Sequence, residues 1–349
     1  MTRYLIRRTL WLIPVLFFVV LITFIIMHAT PGGPWDVQPD SRASDPRLAA
    51  KLDAQYGLDL PLFLNTHAAQ EALNQGKGPL DAVQGLVSAQ FEIYIWSLLH
   101  GDLGPSYRFR GQSVNEILFL PNDPDTPIWQ SRFGTTAFLG IIAMAFALTI
   151  GFPLGLVAGL KQNTLVDNLS LFAATMFYGI PTFVTGIMFI FIFAVWLGLV
   201  KVLEIDYWQA WQAWLLPALT LAIGTAAYVA RLTRASVIET MRQDYVRTAR
   251  AKGLAERAII FRHIVRNALI PVVTFVGPAL AGLVTGSFII ETQFSVNGIG
   301  RLFVESISRR DYSVILALTL IYAFLVAAAN LVVDIVYGFL DPRIKVSGG

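Results

Sequence analysis

Side chains able to do chemistry are few in this chain, and most of the charged ones are basic and crowded into one place. Residues 231–270 carry nine Lys or Arg against three Asp or Glu, with long apolar stretches on both sides. Cations at this density do not catalyse alone; they bind, either to an anionic lipid surface or to a protein partner. From Asp244 the tract reads DYVRTARAKGLAERAIIFRHIVRNALIP, which is a helix, a glycine stop, a second helix and a proline. Elsewhere His28, His67, His100 and His263 are scattered without ligand spacing. With no Cys in the chain, disulfides, thiolate metal sites and a Cys nucleophile are excluded. No GxxxxGK[ST] phosphate loop, HExxH zinc pair or GxSxG elbow occurs. The expectation is no catalytic, metal or cofactor-binding residue, so energy for any uphill step must come from another polypeptide or an ion gradient.

Within the basic tract, 244–252 predicts a short helix. Asp244 is able to cap its start, and Gly253 is placed to end it in the left-handed conformation. Tyr245, Ala249 and Lys252 would share one face, and Ala249 and Ala251 keep the helix slim enough for a groove. A second helix, 255–269, then leads into the fifth span before Pro271. The apolar face is weak for lipid adsorption, which favours protein docking.

The elements holding this tract are read from composition. The chain has 349 residues, a mean hydropathy of +0.61, 55% apolar residues and 14% charged ones, where soluble domains have about 25% charged. It is an integral membrane protein by this measure. A net charge of +3, locally placed, does not suggest nucleic-acid binding. The apolar run 10–27 follows Arg3, Arg7 and Arg8, exceeds the roughly 7–15-residue core of a signal peptide, and leads into HATPGGPWD, which lacks a small-x-small cleavage site. It reads as a first transmembrane helix. Five more spans are predicted at 135–159, 170–199, 213–230, 269–290 and 313–340, each meeting the requirement of about 20 residues.

Six spans with the N-terminus inside place 1–9, 160–169, 231–268 and 341–349 in the cytoplasm, and 31–134, 200–212 and 291–312 outside. The inner segments carry fifteen Lys or Arg against five acids and the outer ones eleven against seventeen, as the positive-inside rule requires. The predicted organisation is an N-terminal helix (1–30), an extracytoplasmic region (31–134), a five-helix core (135–340) containing the loop 231–270, and a tail (341–349). Trp208, Trp211 and Trp214 suit a membrane interface.

Gly151, Gly155 and Gly159 form a stripe on the second span, and Gly282 and Gly286 another on the fifth, each permitting close helix approach. Pro153, Pro181 and Pro278 lie inside spans, as kinks that fit a neighbour or as hinges. Asp334, with Asn330 one turn before it, is the lone intramembrane acid; it reads as functional or as a structural partner of a basic residue. Glu291 has two readings, a gate residue or a salt bridge at the outer rim with Arg301.

These residues resemble the inner-membrane permease subunits of bacterial ABC importers, in particular the dipeptide and oligopeptide group. The family's coupling loop follows EAA-x3-G-x9-I-x-LP, and Arg247, Thr248, Ala249 and Gly253 take the E, A, A and G places. Arg247 departs from Glu, and His263, Ile264, Val265 and Arg266 depart from I-x-LP; RTARAKG followed by RHxxRNALIP is similar to the peptide-permease form. Further similar segments are 3–34 with its HATPGGP end, GDLGPS at Gly101, IPTFVTG at Ile180, ETQFSVNGIGRL at Glu291, RDYSV at Arg310 and NLVVDIVYGFLDPRI at Asn330. Residues 65–90 read as an extra outer segment, and 119–134 departs from the family's run into the second span.

The resemblance implies an all-α, six-helix type I importer permease that is not an enzyme. Its implied partners are a second homologous permease subunit, two ABC ATPase subunits using ATP and Mg, an extracytoplasmic substrate-binding protein and the bilayer. Asp244, Tyr245, Arg247, Thr248, Ala249, Ala251, Lys252, Gly253 and Leu254 would form the ATPase-coupling element, with Pro181, Gly282, Gly286, Glu291 and Asp334 as gate or packing residues. Peptides are the implied cargo; nickel chelates and oligosaccharides are alternatives on the same architecture. A stand-alone secondary transporter or channel should show intramembrane charges or inverted repeats, and only Asp334 and no evident repeat are found; a membrane enzyme should show a clustered nucleophile, acid or metal set, and none is visible.

Overall fold

Uncharged runs of Leu, Ile, Val, Phe and Ala leave the backbone no partner but itself once water is removed, so each becomes a helix. A computed structural model describes residues 2–35, 46–121, 123, 125–200, 207–284 and 288–340. Among these, no strand is present. Five helices are long and apolar enough to cross a membrane: Arg7–Ala29, Arg132–Leu160, Trp211–Met241, Glu256–Val284 and Tyr312–Val332. A sixth span is available if Leu165–Gly179 and Thr182–Trp196 are counted together.

That pair goes beyond the kink or hinge expected at Pro181 within the 170–199 span. Its halves meet at 106°. Pro181 supplies no N–H and disfavours a helical Ile180, whose ψ of 128° is extended. Pro153, Pro271 and Pro278, by contrast, remain inside helices. The second half-span passes into a π-helical stretch, Ile190–Trp196.

Two compact units are present. One comprises 1–10, 133–301 and 325–349 and contains the basic tract. Its second and fourth spans pack through the predicted glycine stripe. A Cβ on Gly151 would lie 2.5 Å from the Ala226 carbonyl oxygen, one on Gly159 2.7 Å from Val237 Cβ, and one on Gly155 would run into the Ala230 carbonyl. Only the missing side chains allow so close an approach. On the fifth span a Cβ on Gly282 would meet nothing within 4 Å in this chain, and Gly286 lies outside the described residues. Near the start of the fourth span, Trp214 is buried and meets Trp208 and Phe138 edge to face with centroids 5.2 and 5.0 Å away. Two of the three tryptophans expected at an interface are thus packed within this unit; Trp211 is exposed.

The other unit comprises 11–132 and 302–324. Residues 65–90 fold there as a hairpin of helices, Thr66–Asn74 and Pro79–Leu86. The backbone approach is close enough that a Cβ on Gly85 would lie 2.9 Å from Ala68. Three motifs far apart in sequence meet at Asp311, which is buried. Its carboxylate accepts from Ser106 Oγ (2.5 Å) and from the backbone N–H groups of Tyr107 (3.2 Å) and Arg108 (3.3 Å). Arg108 in turn donates to the carbonyls of Arg309 (2.6 Å) and Pro34 (2.5 Å), and Arg310 to that of Gly33 (3.2 Å). HATPGGP, GDLGPSYR and RDYSV are therefore one hydrogen-bonded knot.

Candidate functional site

The short helix Asp244–Ala251 owes its seat to two apolar side chains three residues apart. Val246 and Ala249 are buried against Val237, Ile259, Ile264 and Ala268, with Leu156, Leu160, Met241 and Ile260 at the margin. Residues i and i+3 share a helix face, so everything else is turned outward. This corrects the expected docking face: Ala249 lies beneath the helix, while Tyr245, Thr248 and Lys252 are exposed together with Asp244, Arg247 and Ala251.

Both ends follow from local chemistry. Gln243, in an extended conformation with ψ 146°, is the residue before the helix and makes no side-chain cap; Asp244 is the first helical residue and does not cap it as expected. There its charge still complements the helix dipole. At the other end Gly253 has φ +75°, its N–H donates to the Arg250 carbonyl (2.9 Å) and the Leu254 N–H to the Ala249 carbonyl (3.3 Å). This is a complete Schellman closure, and it satisfies carbonyls the helix end would otherwise leave open.

Polar ties then fix the element to the chain that follows. Arg250 grips Glu256 with two bonds, Nη2 to Oε1 at 2.7 Å and Nε to Oε2 at 3.3 Å, and this contact raises the Arg250 guanidinium above its ordinary value. Asn267 Nδ2 donates to the Tyr245 hydroxyl (2.9 Å) and to the His263 carbonyl (2.8 Å). The second helix expected at 255–269 does lead into the fifth span and is continuous with it. Glu256–Val284 runs through a π-helical stretch, Ile260–Val265, and past Pro271. Any push on the short helix therefore reaches a membrane-spanning rod directly.

What the site presents is a contact surface. Tyr245 and Leu254, both exposed, offer apolar area, Thr248 turns its hydroxyl back onto the Asp244 carbonyl (2.9 Å), and Arg247 is loosely placed 3.9 Å from Asp244. An exposed pair of that kind contributes little stability, so Arg247 can change partners cheaply. Among the described residues no group of three His, Cys, Asp or Glu could hold a metal.

Glu291 sits elsewhere in the same unit, and it is fully buried rather than at a rim. Its carboxylate accepts from Thr136 Oγ1 (3.0 Å) and from the N–H groups of Gly300 (2.8 Å) and Arg301 (3.1 Å). Thr136 Oγ1 accepts from the Ile299 N–H (2.9 Å). The carboxylate thus closes the first turn of the helix Ile299–Arg309. Arg301 contributes its backbone amide here, while its guanidinium donates to the Ser295 carbonyl (3.1 Å). Burial pushes the Glu291 carboxyl up to about 7, against the opposing effect of these three donors.

Pro181 lies at the 106° break and is exposed. Asp334 falls in the helix Tyr312–Leu340, but its side chain, like Gly286, is outside the described residues. Asp311 and Thr136 were not among the residues singled out from sequence, and the RDYSV segment was the available signal for Asp311.

The family profile described as binding-protein-dependent transport system inner membrane component matches residues 151–346. The chain is similar to an oligopeptide transport system permease protein, OppB, of Haemophilus influenzae, with 33% identity over 347 residues, 99% of this chain and 100% of the relative. OppB of Salmonella typhimurium is 35% identical with the same coverage. A dipeptide transport system permease protein, DppB, of Bacillus subtilis is 34% identical over 345 residues, 99% of this chain and 98% of its own.

Proposed function

This chain belongs to the binding-protein-dependent transport system inner membrane component family and is a multi-pass inner-membrane protein, and on that footing we propose that it is the permease subunit of an ATP-driven peptide importer. It forms half of the pathway with a second, homologous permease subunit. Two ATPase subunits hydrolyse Mg-ATP on the cytoplasmic side, and a binding protein delivers cargo outside. The peptide class rests on the names of the relatives. The positive-inside charge balance supports cytoplasmic termini, with 31–134 outside and the short helix inside.

The observation that carries the coupling role is that helix. It has no catalytic groups, it is seated on its own chain by Val246 and Ala249, and it turns Tyr245, Thr248, Ala251 and Lys252 outward at one end of a membrane-spanning rod. Asp244, Arg247 and Leu254 edge this surface, and Gly253 shapes its end. Closure of the ATPases on ATP moves the two permeases from inward-open to outward-open, and hydrolysis returns them. Ala249 acts by holding the helix rather than by touching the ATPase.

Purification in mild detergent tests the reading. Co-purification of ATPase subunits, with uptake that stops when ATP is withdrawn, is the expected result. A chain that purifies alone and transports without ATP is a secondary transporter, and the proposal fails.

A further inference from the structure

Arg231 directly follows the apolar run 213–230 on the helix of the fourth span, ten residues before that helix ends at Met241, or about 15 Å along the helix axis. A cation at the end of a span normally pairs with an acid or a backbone carbonyl, yet no Asp or Glu pairs with Arg231 among the described residues. Arg234, one turn on, does pair: its guanidinium is doubly bonded to Asp167. Arg231 is held instead by aromatic faces, its guanidinium carbon 4.3 Å from the Tyr178 centroid and 5.9 Å from that of Tyr228. Tyr228 packs on Phe275 at 4.4 Å. Stacking of this kind orients the guanidinium while leaving its N–H edge free for an oxyanion.

Tyr178 adds a second observation. It is 55% exposed and sits in the last turn of Leu165–Gly179, immediately before the break at Pro181. Interrupted backbone at membrane depth is tolerated where protein covers it or water lines it, and not against lipid. The face carrying the break and Arg231 is therefore not a lipid face.

Resting on the importer reading above, we propose that Arg231, stacked on Tyr178, is a carboxylate subsite of the translocation pathway that engages the C-terminal carboxylate of a passing peptide. A guanidinium suits the group every peptide carries, and the aromatic wall of Tyr178, Tyr228 and Phe275 tolerates varied side chains.

The test uses the complete transporter in proteoliposomes with its binding protein. Arg231→Gln and Arg231→Lys are compared with wild type for uptake of one neutral peptide, with a free or an amidated C-terminus, at saturating concentrations. Each variant is divided by wild type for the same peptide, which cancels the preference of the binding protein, and stimulated ATP hydrolysis reports assembly. The expected result is a loss on the order of tenfold for the free-carboxylate peptide in Arg231→Gln, less than about twofold for the amide, and an intermediate value in Arg231→Lys. Equal losses for both peptides overturn the subsite and make Arg231 a structural or intersubunit contact. Undiminished uptake of the free-carboxylate peptide overturns it as well. A wild-type complex that imports neither peptide with ATP overturns the importer reading beneath it, whereas continued import of the amide by Arg231→Gln keeps that reading intact.

Discussion

Glu291 accepts a 2.8 Å hydrogen bond from the Gly300 amide, and a Cβ on Gly300 would lie 2.9 Å from the Glu291 carboxyl carbon. Gly298 is equally constrained, since its Cβ would run into both the Glu291 carboxylate and Thr136 Oγ1. The GIG spelling at 298–300 is thus the imprint of a buried carboxylate on the backbone around it. Gly298→Ala or Gly300→Ala should destabilise the 133–301 unit by about 1–3 kcal/mol, read as a lower unfolding midpoint in detergent.

The same carboxyl gives a pH dependence. Its native value of about 7 lies above the ordinary 4.5, so the native state holds the proton more tightly than the unfolded one. Its contribution to stability is full below about pH 4.5 and is lost as pH rises through about 7. The midpoint should fall across that window, and Glu291→Gln should flatten the fall. An unchanged slope in the variant would place the titrating group elsewhere.

Asp311 should matter for the other unit. Asp311→Ala leaves the Ser106 hydroxyl and two backbone N–H groups without their acceptor, at a cost of roughly 3 kcal/mol. Limited proteolysis should cut faster within 11–132, while cleavage near 244–254 stays at the wild-type rate.

At the short helix 244–251, adjacent positions should behave differently. Ala249→Trp overfills the space beside Val237 and Ile264 and should unseat the helix, lowering both stability and coupling. Thr248→Trp, pointing outward, should leave the unfolding midpoint unchanged and abolish stimulated ATP hydrolysis. Gly253→Pro removes the N–H bonded to Arg250 and cannot adopt φ +75°; it should uncouple transport while membrane insertion proceeds normally.

Five of the spans were legible because apolar length is a one-dimensional signal. Gly253 was legible too, as a glycine after a basic helix end. The break at Pro181 was not, because a proline inside an apolar run looks the same whether the helix runs on, as at Pro153, or turns through 106°. The outward face of the short helix was not legible because Tyr245, Ala249 and Lys252 do satisfy helical spacing; only the presence of Val237, Ile259 and Ile264 beneath it decides that Val246 and Ala249 face inward. The Asp311 knot joins segments around residues 33, 108 and 311, and no local pattern reports such a meeting.

Because the chain contains no Cys, single cysteines report contacts without background, and they test directly whether the short helix is the element that docks on an ATPase. Cysteines at Tyr245, Thr248 or Lys252 should form disulfide or short-crosslinker adducts with an ATPase subunit in native membranes, with yields that change when ATP is added, and a cysteine at the buried Ala249 should not. Adducts to the ATPase from none of the three exposed positions, in a complex that still imports peptide with ATP, would contradict the account.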